Sequence, residues 1–84
     1  KEGISHIFDE LMAQFEKIEF SEEKVEQVFR GLAEELGLKA KDVIQPARVA
    51  FTGSLTSPGI FEVAVLLGKD TCIKRLIAVK RFLQ

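Results

Sequence analysis

Residues 21–37 read SEEKVEQVFRGLAEELG, a stretch that carries signals for both ends of a helix. Ser21 offers a hydroxyl oxygen to the free backbone N–H groups of a first turn, and Glu22 and Glu23 sit where the positive pole of the helix dipole forms. Gly37 stands where a closing left-handed residue costs least. Between them Val25, Val28, Phe29, Leu32 and Leu36 recur at spacings of three and four, which places them on one stripe. Phe20, just before the cap, is placed to staple against Val25.

The same period runs upstream. Ile4, Ile7, Phe8, Leu11, Met12, Phe15 and Ile18 form one apolar stripe and predict a first helix. Downstream, a short third helix is expected over residues 42–51, with Pro46 tolerated near its start because a first-turn N–H has no partner to lose. A loop, TGSLTSPGIFE at residues 52–62, follows. Within it, Ser57 followed by Pro58 reads as a cap and first helical residue, opening a fourth helix that runs to about Leu67 and stops at Gly68. Asp70 is placed to cap a fifth, with Ile73, Leu76, Ile77 and Leu83 facing inward and Lys74, Arg75, Lys80 and Arg81 in water. No β-alternation persists. The expected fold is all-α, a compact bundle of about five short helices in one domain over residues 1–84, large enough for a modest core.

The chain starts at Lys1 and Glu2 without a methionine, and its helical pattern begins at once, which fits excision from a larger protein. No apolar run approaches the roughly 20 residues needed to span a bilayer, so no membrane role is expected. Cys72 is the only cysteine, which rules out an internal disulfide and argues against a thiolate zinc site; a reducing, cytoplasm-like compartment is expected. Charge is unevenly spread: residues 1–36 hold four Lys/Arg against ten Asp/Glu, and residues 37–84 hold eight against three. Any polyanion should therefore meet the second half.

Catalytic constellations are weak. His6 and Cys72 are the only candidates for a Cys-His pair, with no third residue to orient the base, and read better as a surface histidine and a small core residue. Glu22 with Glu23, and Glu34 with Glu35, are adjacent on helices and point apart. Gly53, Gly59 and Gly68 follow no strand and form no phosphate-cradling fingerprint. No metal site and no cofactor are expected in this chain.

Two groups leave alternatives open. Lys74, Arg75, Lys80 and Arg81 are either an ordinary wet helix face or phosphate contacts. Arg48 precedes Ser57 by nine residues, near Ile60 and Phe61, and a guanidinium fork, a helix start and an apolar surface together suit a splayed nucleic-acid base. Ile60 and Phe61 fit the core equally well. A helix-turn-helix DNA reader is disfavoured, because no helix gathers basic and amide side chains on one face.

Residues 37–83, GLKAKDVIQPARVAFTGSLTSPGIFEVAVLLGKDTCIKRLIAVKRFL, resemble the end of bacterial-type glutamyl-tRNA synthetases, class I enzymes. The resemblance lies in the order and spacing of a Gly-Leu-Lys start, Pro-x-Arg, Thr-Gly, Ser/Thr-Pro before an apolar pair, Leu-Gly-Lys and a closing basic helix. It implies a C-terminal anticodon-binding domain whose partners are the anticodon loop of the glutamate tRNA and the remaining domains of the synthetase. It also implies ATP and Mg2+ in the parent enzyme, in the cytoplasm. By position it assigns anticodon contact to Arg48, Ser57, Pro58, Ile60 and Phe61. Ile60 replaces a common leucine, and so does Ala47. Neither a His-Ile-Gly-His nor a Lys-Met-Ser-Lys-Ser type of motif occurs, so the chain alone is expected to be inactive. The competing expectation is a helical protein-interaction module that presents Ile60 and Phe61 to a partner's groove.

Overall fold

A computed structural model describes the backbone of residues 2–83 and the side chains of residues 3–82. The described residues form five helices and no strand: α1 (Glu2–Phe15), α2 (Glu22–Leu36), α3 (Ala40–Thr52), α4 (Ile60–Leu67) and α5 (Lys69–Leu83). The all-α expectation holds.

Helix α2 is closed at both ends as its sequence predicts. Ser21 Oγ accepts the Lys24 N–H at 3.2 Å. Gly37 adopts φ 70°, its N–H donates to the Glu34 carbonyl and the Leu38 N–H to the Ala33 carbonyl, the paired bonds of a Schellman close. Helix α1 ends at Phe15, so Ile18 contributes to the core from the following turn and not from a helix. There Lys69 Nζ donates to the Ile18 carbonyl at 2.8 Å and ties this turn to the start of α5.

Helix α3 differs from expectation at its start. It begins at Ala40, and Asp42 Oδ2 accepts the Lys39 N–H at 3.2 Å, so the aspartate caps backwards from inside the first turn. Pro46 therefore lies inside the helix. Proline removes the donor that would serve the Asp42 carbonyl, but Asp42 is exposed, so water can take that acceptor. At the other end Gly53 adopts φ 76° and its N–H donates to the Val49 carbonyl at 2.7 Å, closing the helix in a left-handed turn.

The start of α4 is a correction. Ser57 is not its cap and Pro58 is not helical; the helix begins at Ile60 after Gly59. Gly68 ends α4 by donating to the Ala64 carbonyl and opens α5 by accepting the Cys72 N–H, so Asp70 sits within the first turn of α5 and does not cap it. Asp70 still favours the positive pole of the dipole there.

One core joins all five helices. It gathers Phe8, Leu11 and Phe15 of α1, Val25, Phe29 and Leu32 of α2, Val43, Ala47 and Phe51 of α3, Ile60 and Ala64 of α4, and Cys72 and Leu76 of α5. Four rings link three helices: Phe20 meets Phe15 edge-on at 5.2 Å, Phe15 meets Phe29 at 6.1 Å, and Phe29 meets Phe61 of α4 at 5.6 Å. On α5 the inward residues are Cys72 and Leu76, with Ile73 and Val79 partly buried, whereas Ile77 is exposed. The side chain of Leu83 lies outside the described residues.

Candidate nucleic-acid interface

The loop between α3 and α4 is held by its own polar side chains. Thr52 Oγ1 donates to the Arg48 carbonyl at 2.8 Å and accepts the Ser54 N–H at 3.1 Å; Ser54 Oγ in turn accepts the Thr56 N–H at 3.1 Å. These short side-chain bonds supply backbone partners where no helix exists, and they account for the run of hydroxyl residues.

Arg48 fastens the far side of the loop. Its Nη1 donates to Ser57 Oγ at 2.6 Å and to the Pro58 carbonyl at 3.2 Å, and its Nε donates to Gln45 Oε1 at 3.0 Å. Ser57 Oγ donates onward to the Pro58 carbonyl at 2.8 Å. This explains the displaced helix start: the serine hydroxyl is held by a guanidinium nine residues earlier and is withdrawn from capping. Arg48 and Ser57, paired by the sequence reading, do come together. The Nη2 edge of Arg48 has no partner among the described residues, which leaves two N–H donors for a ligand.

Ile60 and Phe61 part company. Ile60 is only 3% exposed and its side chain faces the core, as the core alternative expects, so the side chain offers almost no surface to a base or to a protein groove. Phe61 is half-buried against Phe29, and the Arg30 guanidinium lies 5.8 Å from its ring centroid. Pro58 is exposed beside Arg48. An apolar surface is present nearby, but other residues make it. Ile4, Phe8, Gln45, Pro46, Val49, Leu55 and Val79 line a groove of about 370 Å³ across α1, α3, α5 and the loop. Leu55 is 61% exposed. Sequence reasoning passed over it, although an aliphatic residue amid serines and threonines was the available signal.

The basic face also divides. Arg75 Nη1 donates to the Phe51 carbonyl at the end of α3, and Lys80 Nζ lies 2.5 Å from Asp9 Oδ1 of α1. Both therefore hold helices together, so each already has a protein partner on the face that the sequence reads as wet or phosphate-binding. Lys74 and Arg81 are exposed, seven positions apart and so on one side of α5.

Cys72 is fully buried and its Sγ donates to the Ala64 carbonyl at 3.4 Å, whereas His6 is exposed, so the two form no nucleophilic pair. Burial pushes the thiol from 9.0 up to about 11, partly offset by the Arg75 charge. A raised pKa means that the folded protein holds the thiol proton more tightly than the unfolded chain. The Cys72 contribution is therefore complete below about pH 9 and is lost as pH rises towards about 11. Urea unfolding across that range should show a steeper decline in stability for the wild type than for Cys72→Ala; parallel declines would refute it.

Residues 1–80 match the anticodon binding domain family. The chain is 47% identical over 77 residues to a glutamate–tRNA ligase of Syntrophobacter fumaroxidans, covering 90% of this chain and 16% of the relative. It is 42% identical over 73 residues to a glutamate–tRNA ligase of Thermus thermophilus, covering 87% and 15%. Against the enzyme of Rhodopseudomonas palustris it is 55% identical over 51 residues, covering 61% and 11%. The chain thus spans about a sixth or less of the length of these relatives. With its helical fold and the family match across nearly its whole length, the chain belongs to the anticodon binding domain family, in the form found in glutamate–tRNA ligases.

Proposed function

We propose that this chain reads the anticodon loop of the glutamate tRNA as one part of a longer glutamate–tRNA ligase. The observation that carries the reading is Arg48, fixed at Nε and Nη1 with its Nη2 edge open beside the loop that ends at Ile60. A guanidinium already held in place loses little freedom when it meets a base, and its remaining N–H pair suits the carbonyl oxygens and ring nitrogens of unstacked bases. Pro58 is exposed beside Arg48, Phe61 leaves part of its ring in water on the α2 side, and Lys74 and Arg81 offer charge for the phosphate backbone.

The ligase reaction, in which ATP and Mg2+ activate glutamate for transfer to the tRNA, belongs in this reading to the remaining domains. No step of that chemistry is assigned to this chain. Anticodon binding adds affinity and orientation to a reaction performed elsewhere in the enzyme. A role in tRNA charging implies the cytoplasm, and no helix of the described residues is long and apolar enough to cross a membrane.

The test is an amide-shift titration with a glutamate anticodon stem-loop and a second one with swapped anticodon bases. Shifts at Arg48 and residues 52–61 that differ between the two RNAs are expected. Equal shifts confined to Lys74 and Arg81, vanishing with salt, would reduce the chain to a nonspecific basic face.

A further inference from the structure

We propose that Arg75 is a positioning residue for anticodon recognition: from α5 it clamps the end of α3 and so fixes the root of the loop that Arg48 braces. The proposal rests on the anticodon-reading function above.

The last carbonyls of a helix have no partner within it, and those of α3 lie where the loop departs. The Val49 carbonyl is served by Gly53, and the Phe51 carbonyl is served from another helix by Arg75. No basic residue stands in the last turn of α3 itself, so Arg75 also supplies the positive charge that this pole favours. The clamp reaches across 24 positions of sequence and acts one residue before Thr52, whose hydroxyl starts the chain of loop bonds. Arg48 lies one turn back on the same helix and ties down the far end of the loop at Ser57 and Pro58. The loop is therefore pinned at both ends by arginines, one from α3 and one from α5. If the Phe51 carbonyl is released, the last turn of α3 can fray, and the geometry between Arg48 and the loop loosens with it.

A phosphate contact and a clamp predict different behaviour, and the test compares Arg75→Met and Arg75→Lys in the full 84-residue chain. Without RNA, exchange of the Gly53 amide should quicken about fivefold in Arg75→Met, as for loss of one ordinary hydrogen bond, with Leu11 exchange unchanged. Arg75→Lys keeps a donor and a charge, and should restore most of the protection. With RNA, Arg75→Met should lower the preference for the cognate over the swapped stem-loop by about fivefold, with an unchanged salt dependence. Equal weakening for both RNAs with a shallower salt dependence would make Arg75 a phosphate contact and overturn the proposal. So would unaltered Gly53 exchange, or faster exchange with full discrimination. If the wild type does not distinguish the two stem-loops, the anticodon reading itself fails, while Gly53 exchange still decides whether the clamp exists.

Discussion

Replacing Phe29 with alanine is expected to lower the unfolding free energy by about 3 to 5 kcal/mol, the range for removing a buried aromatic ring from a packed core. Phe29 has no exposed surface and stands at the centre of the ring series, 6.1 Å from Phe15 and 5.6 Å from Phe61. The cavity left by its removal would border α1, α2 and α4 together, and three helices meeting at one point cannot all move inward to fill it. Small domains are stable by only about 5 to 15 kcal/mol, so the variant should sit at the edge of folding. Urea unfolding that shows a lower midpoint at an unchanged slope is the expected readout. Phe61→Ala provides the contrast, because half-buried Phe61 exposes part of its ring already and should cost clearly less. A Phe29→Ala loss below about 1.5 kcal/mol would mean that the helices repack freely and that the ring series does not organise the bundle.

How far the sequence discloses this molecule depends on how local each signal is. Helix α2 was readable from end to end because Ser21, Gly37 and the stripe between them act within a few residues of one another. Ser57 and Pro58 carry an equally clear local signal, yet the serine hydroxyl is claimed by Arg48, and the helix waits until Ile60. Arg75 and Lys80 fall on what periodicity marks as a wet face, but their side chains are long enough to reach an α3 carbonyl and an α1 carboxylate. Nothing in their spacing reveals those partners. Ile60 and Phe61 look interchangeable as an apolar pair, and a turn of about 100° between adjacent helical positions sends one into the core and leaves the other half in water. On α5 Cys72 is buried, as its reading as a small core residue expects, whereas Ile77, which periodicity turns inward, is exposed.

Arg48→Ala is expected to weaken binding of the cognate anticodon stem-loop by about 1 to 3 kcal/mol, roughly 5- to 150-fold, and to bind the swapped stem-loop nearly as well as before. The substitution removes two things at once, the open Nη2 donors and the brace to Ser57 and Pro58. Two further variants separate them. Ser57→Ala takes away one acceptor of the brace while leaving the guanidinium and its Gln45 bond, so a loose loop alone should cost less than Arg48→Ala. Arg48→Lys retains the charge but gathers its donors on one tetrahedral nitrogen in place of a planar fork; it cannot hold Gln45 and Ser57 and still present a coplanar N–H pair to the base, and should lose discrimination almost as fully as alanine. The outcome that defeats the assignment is a uniform one. If Arg48→Ala weakens both RNAs by the same factor and Arg48→Lys recovers the loss, the residue contributes charge alone. The two free N–H groups at the loop would then have no role in telling one anticodon from another.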